Sequence, residues 1–365
     1  MDTLMPEFKD GKSFPPRRGP LAWIERLEPS CFTFVMATGI VSDALALSDQ
    51  KLLASGLFAT NVTTFLCLLA IFLLRIFCFP RVVWANLTDR RRVFGFFALI
   101  AGANVIGAGG ALRGFGEAAL WFWVADSGLW LTLIYLSFCV LSLPAEAEAA
   151  DIIRGGWLLA IVATESVVIL GALATSANEE LSALVFLPLH ALWGIGLALY
   201  AIFITLFSYR FFFFPVDRDD VTPAIWVTMG AAAICANAGS TLLLCGSPAL
   251  PLLHSLRPLI EAATFFTWAW ATWLIPLLML LSFWKYAIAI APFFYTQALW
   301  SLVFPLGMYS VATFRLGLVT GLPLLKSAAA GFAWIALTAW AVTATAWFAT
   351  RLRASPNDPQ SRLNA

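Results

Sequence analysis

The chain contains 365 residues, of which 61% are hydrophobic and 12% charged, about half the charged fraction of a soluble domain. This composition excludes a soluble globular protein, and a formal net charge of +1 gives no indication of a nucleic-acid partner. The six cysteines show no metal-ligand spacing, so the sequence predicts no metal site and no cofactor. The composition is that of a polytopic membrane protein.

Ten apolar segments divide the chain. A helix of about 20 apolar residues can cross the hydrocarbon core of a bilayer, and each segment is close to that length or longer. The segments lie near residues 30–47, 52–79, 93–112, 118–143, 156–175, 182–213, 224–245, 258–283, 293–314 and 327–350. They predict a membrane domain over 30–350, an N-terminal arm over 1–29 and a C-terminal tail over 351–365.

The basic residues predict how the domain is oriented. If the N-terminus is cytoplasmic, 17 of the 22 Lys and Arg residues lie on the cytoplasmic side. This agrees with the positive-inside rule, and it predicts that both termini are cytoplasmic. The first thirty residues are polar and proline-rich and show no secretory signal.

The ten segments alternate in side-chain size. Odd-numbered segments are rich in Gly, Ala, Ser, Thr and Asn, whereas even-numbered segments are rich in Phe, Trp and Leu. Small residues allow close helix approach, while large aromatic residues suit an outer layer. Short loops favour antiparallel neighbours. We therefore predict an all-α membrane protein of ten transmembrane helices in five helical hairpins, with an inner ring of odd helices around a central pore.

Segment 9 carries the most unusual stretch, residues 295–310. Pro305 lacks a backbone N–H and frees the carbonyl of Ser301, which predicts a kink. Within a bilayer such a break is tolerated where it is buried in protein or lines a polar cavity. These residues leave two interpretations of Phe304, just before the kink: a bulky side chain that projects into a pore or cavity, or an ordinary packing residue.

Two of the segments resemble a known family. Phe34-Val-Met-Ala-Thr-Gly-Ile-Val-Ser42 in segment 1 and Trp300-x-x-x-Phe-Pro-Leu-Gly307 in segment 9 resemble signatures of the tellurite-resistance/dicarboxylate transporter family. That family includes bacterial TehA, fungal malate permeases and sulfite pumps, and plant slow anion channels. The resemblance implies a homotrimer in a membrane, here a bacterial inner membrane, with one pore in each subunit.

The resemblance also implies a gate and a class of substrate. Phe304 matches the phenylalanine that blocks the pore in the channel members, with Pro305 beside it. The substrates would be small anions, chiefly dicarboxylates such as malate or the oxyanions sulfite and tellurite. A passive, aromatic-gated channel for chloride or nitrate is the alternative; the Met-Ala-Thr-Gly form of segment 1 is closer to the dicarboxylate and sulfite transporters.

Polar and small residues of the odd segments are the candidates for lining the pathway. Intramembrane ionisable groups are costly and therefore candidate sites. The predicted lining residues are Thr38, Gly39, Asn104, Gly107, Glu165, Asn237, Gly307 and Arg315.

Four of these residues have specific hypotheses attached to them. A Glu165 carboxyl that takes up and releases a proton would couple proton and anion movement; the alternative is a neutral, hydrogen-bonded Glu165. Arg315, about three turns beyond Phe304, would hold an oxyanion through two hydrogen bonds. Its alternative is an interfacial arginine that extends to lipid headgroups. For Asn104 and Asn237, amide contacts to a passing anion compete with hydrogen bonding between helices.

The even segments also contain polar residues. Asp126 is expected to be structural, and Arg257 and Glu261 are spaced to form an i,i+4 ion pair. We expect His190 to be a packed, hydrogen-bonded histidine. An intramembrane protease that uses Ser127 and His190 is the remote alternative, and it requires a hydrogen bond between the two side chains.

Overall fold

The computed structural model describes residues 21–142, 157–215, 218, 220–245, 251–288 and 295–353, without the side chains of 22, 251–254 and 353. Most of the predicted N-terminal arm and C-terminal tail lies outside the described residues.

Twelve α-helices are present in the part of the chain that the structure describes. Ten of them are long and apolar enough to cross a membrane. The inner-ring helices are α2 (Thr33–Leu47), α5 (Phe97–Ala111), α7 (Leu158–Thr175), α9 (Val227–Cys245) and α11 (Trp300–Thr320). The helices that surround them are α3 (Lys51–Cys78), α6 (Gly116–Ser142), α8 (Glu179–Phe213), α10 (Pro251–Phe283) and α12 (Pro323–Arg353). Two short helices, α1 (Ala22–Glu25) and α4 (Pro80–Leu87), precede α2 and follow α3.

The alternation in side-chain size corresponds to two concentric layers. In the inner spans 72% to 89% of the residues are buried, against 17% to 33% in the outer spans. Each inner helix packs against the next in chain order, and α11 packs back against α2, so the five form a closed ring. Each outer helix packs against the inner helix of its own hairpin and also contacts the inner helix of the next. The predicted fold class is confirmed.

Glycines allow the inner helices to approach each other closely. A Cβ atom on Gly107 of α5 would lie 2.7 Å from Leu170 of α7, and one on Gly230 of α9 would lie 2.8 Å from the Pro305 ring of α11. Real side chains do not tolerate these distances, so larger residues there would separate the helices. The small residues of the odd segments are therefore the physical basis of the ring.

The inner helices also begin in a common way. Four of them are preceded by a short 3₁₀ turn, at Pro29–Phe32, Val93–Phe96, Pro223–Trp226 and Gln297–Leu299. An aromatic residue stands at the junction between turn and helix, or at the N-cap of α7, in all five: Phe32, Phe96, Trp157, Trp226 and Trp300. All five junctions lie at the same end of the ring because the inner helices run parallel. We call this the N-terminal end of the ring.

The two family signatures meet where the ring closes. Trp300 of α11 packs edge-to-face on Phe34 of α2, with ring centroids 4.7 Å apart. Trp340 of α12 donates a hydrogen bond of 2.9 Å to the Thr38 hydroxyl. A Cβ atom on Gly307 would lie 2.8 Å from Ile40. Several signature residues therefore hold the first and last inner helices together.

Candidate transport pathway

A small cavity lies inside the ring, and all five inner helices contribute to its wall. Its volume is about 20 Å³, close to the space that one water molecule needs. The lining residues are Ile40, Asp43, Asn104, Val105, Ala108, Ser166, Ile169, Ile234, Asn237, Met308, Val311 and Arg315. The cavity is too small for a dicarboxylate, so any path along the ring axis is closed in this structure.

Arg315, in the C-terminal part of α11, supplies a positive charge to this cavity. The residue is only 5% exposed. One of its terminal nitrogens donates hydrogen bonds to the Asn237 amide oxygen, at 2.9 Å, and to the Thr241 hydroxyl of the same helix, α9. A guanidinium held in this way does not extend to lipid headgroups, so the interfacial alternative for Arg315 is wrong. The Arg315 side chain lines the cavity, and these two hydrogen bonds use only one of its nitrogens.

Asp43 and Arg113 form an ion pair at the same end of the cavity. The Asp43 carboxylate oxygen Oδ1 lies 3.3 Å from Arg113, which follows α5. Arg113 also donates to the Ser42 hydroxyl at 2.8 Å and to the Gly109 carbonyl at 2.8 Å. Its guanidinium stacks over the Phe58 ring at 4.1 Å. The carboxylate in the cavity wall is therefore compensated by a firmly positioned cation.

Asp43 was missed as a site residue, although the sequence contained a signal. An acidic residue within an apolar segment is expensive and needs a partner. Arg113, at the end of segment 3, is a basic residue that could provide it. Their pairing depends on which faces of α2 and α5 meet, and the sequence alone does not specify those faces.

The two predicted asparagines both line the cavity and both join helices. Asn104 donates to the Ser166 hydroxyl of α7 at 3.1 Å, and its amide oxygen has no hydrogen-bond partner in the described part of the chain. Asn237 accepts from Arg315 and donates to the Met308 sulfur at 3.3 Å. The two functions proposed for these residues are therefore compatible.

Phe304 lies on the cavity-facing side of α11 but not in the cavity wall. Residues at spacings of 4, 7 and 11 share one face of a helix, so Phe304 is aligned with Met308, Val311 and Arg315. The Phe304 side chain is 2% exposed and lies toward the N-terminal end of the ring. Pro305 lies inside a continuous α11 and packs on Gly230 of α9. This position suits a plug, and gating by Phe304 stays a prediction.

Five predicted lining residues lie outside the wall of this cavity. Thr38 bonds to Trp340, and Gly39 would place a Cβ atom 2.5 Å from Asn61 of α3. Gly107 and Gly307 face Leu170 and Ile40 in helix contacts. These four residues serve packing in this closed conformation.

Glu165 also faces away from the cavity. Its buried carboxyl approaches Gly196 of the outer helix α8 and the Cys235 thiol of α9. Neither carboxyl oxygen has a geometrically defined hydrogen-bond partner within the described residues. Nothing in the closed structure places Glu165 beside a passing anion.

Polar residues of the outer layer make local contacts. Arg257 and Glu261 form the predicted i,i+4 ion pair at 2.8 Å. His190 is packed on Phe186 and its Nδ1 lies 2.8 Å from the Phe186 carbonyl. Ser127 and His190 are not hydrogen bonded to each other: the Ser127 hydroxyl and His190 Nε2 both lack a partner among the described residues. The arrangement that the protease alternative requires is absent.

A guanidinium that lines an axial cavity within the membrane is suited to a conduit for anions. The fold and the site therefore define a membrane protein that conducts anions. The family model described as SLAC1, voltage-dependent anion channel, matches residues 26–348. The chain belongs to this family. It is therefore a transmembrane anion transporter or channel and not an enzyme, and the resemblance found in segments 1 and 9 is confirmed.

Relatives of the chain are consistent with the family assignment. Uncharacterized membrane proteins from two strains of Mycobacterium tuberculosis are each 39% identical over 134 residues, covering 37% of this chain and 67% of theirs. An uncharacterized transporter of Methanocaldococcus jannaschii is 24% identical over 341 residues, covering 88% of this chain and 94% of the relative.

Proposed function

We propose that this protein transports dicarboxylates such as malate, or the related oxyanions sulfite and tellurite, through a pathway in each subunit that Phe304 occludes. The observation that carries the proposal is the Arg315 guanidinium, which is anchored by Asn237 and Thr241 and lines the axial cavity. Guanidinium groups bind carboxylates and oxyanions through paired, charge-assisted hydrogen bonds. Anchoring by neutral side chains leaves the positive charge available to a substrate.

The proposed path runs along the cavity-facing side of α11. An anion enters at the N-terminal end of the ring once the Phe304 ring has moved, and then reaches Arg315. The path does not include Glu165, because that carboxyl faces α8. Thr38, Gly39, Gly107 and Gly307 shape the path by holding helices together.

A passive channel for chloride or nitrate is the second candidate. The aligned Phe304 favours it, because displacement of one aromatic side chain would open the narrow part of the path without a larger rearrangement. A carrier, by contrast, needs coupled movements at both ends. The two candidates differ in whether the gradient of a second ion, such as the pH gradient, drives the anion flux.

Flux measurements in proteoliposomes test the proposal. Anion current and labelled malate uptake are measured for wild type and Phe304→Ala, with and without a pH gradient. We expect malate uptake by wild type and a large increase in anion current in Phe304→Ala. Phe203→Ala is the matched control, because Phe203 is equally buried, at 2% exposure, but lies on outer helix α8.

Each result of this experiment has a clear meaning. A current increase specific to Phe304→Ala supports an aromatic gate. Unchanged flux in a folded Phe304→Ala protein would make Phe304 a packing residue. Chloride and nitrate currents without malate uptake would favour the channel alternative.

We further infer that the protein forms a homotrimer in a bacterial plasma membrane. Large aromatic side chains are exposed on the outer layer, such as Trp121 at 73% and Phe266 at 67%. Such residues suit contact with lipid or with a neighbouring subunit. Native mass spectrometry is expected to detect three copies of the 39.8 kDa chain. A monomer under conditions that preserve transport would contradict this inference.

A further inference from the structure

The carboxylate of Asp43 poses a physical problem for a protein that moves anions. Asp43 is 4% exposed and lines the same cavity as Arg315. A fixed negative charge repels an approaching anion, and the repulsion grows as the surrounding dielectric constant falls. A pathway that accepted any anion would be better without this residue.

We propose that Asp43 is a specificity-determining residue that accepts a hydrogen bond from the substrate's own O–H group, while Arg315 binds the substrate's anionic group. The pathway would then favour anions that carry a proton donor, namely hydroxy acids and partly protonated oxyanions. Halides and nitrate carry no donor, so they would gain no hydrogen bond from Asp43 and would meet its negative charge, which Arg113 only partly compensates. This inference rests on the proposed function and narrows its substrate class.

The arrangement of the two charged groups supports this role. Asp43 on α2 and Arg315 on α11 belong to adjacent packed helices and line one cavity. The direct ion pair of Asp43 is with Arg113, through Oδ1, and not with Arg315. Arg315 is held instead by Asn237 and Thr241. An acceptor and a donor therefore lie beside the same space without neutralising each other directly.

The Asp43 carboxylate is also held in position. Arg113 is fixed by the Ser42 hydroxyl, by the carbonyls of Gly109 and Ala54, and by the Phe58 ring. A Cβ atom on Gly109 would lie 2.8 Å from Asp43 Oδ1 and 2.9 Å from the Phe58 ring. Glycine at this position thus permits the ion pair to pack against α5. Arg113 and Gly109 are positioning residues for Asp43.

The first test uses the wild-type protein and needs no substitution. Malate and succinate are both dicarboxylates, but only malate keeps a hydroxyl donor when both carboxyl groups are ionised. At pH 7.5 we expect unlabelled malate to compete with labelled malate uptake about tenfold better than succinate or chloride does, the effect of one hydrogen bond to a charged group. Equal competition by malate and succinate would overturn the inference.

The second test is Asp43→Asn, which removes the charge and keeps the shape. We expect the ratio of chloride to malate flux to rise about tenfold, because the repulsion of the halide is lost. Asp43→Asn combined with Arg113→Gln keeps the charge balance if the single variant does not fold. Asp126→Asn, a buried carboxyl on outer helix α6, is the matched control and should leave the ratio unchanged.

The outcomes separate this inference from the proposed function. An unchanged chloride-to-malate ratio in folded Asp43 variants overturns the role of Asp43 while malate transport by wild type stands. No flux of any anion through wild type would overturn the proposed function itself.

Discussion

At the scale of single residues, Arg315 shows how a membrane protein keeps a charge in its interior. Burial of a cation is expensive, and the cost is reduced when hydrogen bonds replace those to water. Arg315 obtains such bonds from Asn237 and Thr241, which are neutral. The ion-paired carboxylate of Asp43 lies beside the same cavity but bonds to Arg113. The positive charge of Arg315 is therefore solvated without being cancelled.

The geometry of the Arg315 side chain predicts the effect of replacing it by lysine. Arg315→Lys keeps the positive charge but cannot both bond to α9 and present a planar pair of donors to an oxyanion. Loss of one charge-assisted hydrogen bond, about 1.5–3 kcal/mol, should lower malate uptake at least about tenfold. Initial rates of labelled malate uptake measure this.

The control for that substitution is Arg257→Lys. Arg257 lies on outer helix α10, is half exposed and is paired with Glu261. Its replacement should leave uptake unchanged, since an exposed pair of this kind contributes little. Wild-type uptake by Arg315→Lys would show that Arg315 serves only to join α9 and α11.

At the scale of helices, one close contact between α7 and α8 is made at a glycine, Gly196. A Cβ atom on Gly196 would collide with the Glu165 carboxyl. Gly196→Ala would therefore displace a buried carboxyl that has no geometrically defined partner within the described residues. We expect a loss of stability of about 1–3 kcal/mol, the usual effect of overpacking. Thermal unfolding in detergent, followed by size-exclusion chromatography with fluorescence detection, measures it.

The same helix offers a matched control. Gly194 lies two residues earlier on α8, and a Cβ atom there would meet no atom within 4 Å. Gly194→Ala should be neutral or slightly stabilising, because alanine favours a helix over glycine. Equal melting temperatures for the two variants would mean that the Glu165 side chain moves aside without cost.

The sequence predicted the two layers of helices but not the face that each residue occupies. The segments with small residues form the inner ring because glycines such as Gly107 and Gly230 allow neighbouring helices to approach each other closely. The inner helices are buried on all sides, so no polar stripe distinguishes the cavity side from the packing side. Thr38 and Glu165 were therefore predicted to line the pathway, although both face outer helices.

Arg315 and Asn237 do line the axial cavity, and their role in a transport pathway stays a prediction. Each is polar or charged within an apolar segment, and such residues need partners inside the protein. Their partnership with each other could not be predicted, because it depends on the rotation of α9 relative to α11. The same limitation hid the pairing of Asp43 with Arg113.

At the scale of the whole molecule, the charge distribution predicts a sidedness that can be tested. The distribution of basic residues predicts that the N-terminal end of the ring and both chain termini lie in the cytoplasm. A fluorescent protein fused to the C-terminus should fluoresce, and an alkaline phosphatase fused there should be inactive. A reporter inserted at Gly114, in the loop after α5, should give the opposite result. Active phosphatase at the C-terminus would reverse the proposed direction of the pathway.

The parallel arrangement of the inner helices has an electrical consequence. Each helix carries a dipole equal to roughly half a positive charge at its N-terminus and half a negative charge at its C-terminus. The five inner dipoles add along the axis, whereas the opposing outer helices lie farther from it. An anion is therefore attracted to the N-terminal mouth and repelled toward the C-terminal one, where Arg315 offsets part of the repulsion; the charge of Arg113 is balanced there by Asp43. Once opened, such a path would rectify, passing anions more easily in one direction than in the other at equal and opposite voltages.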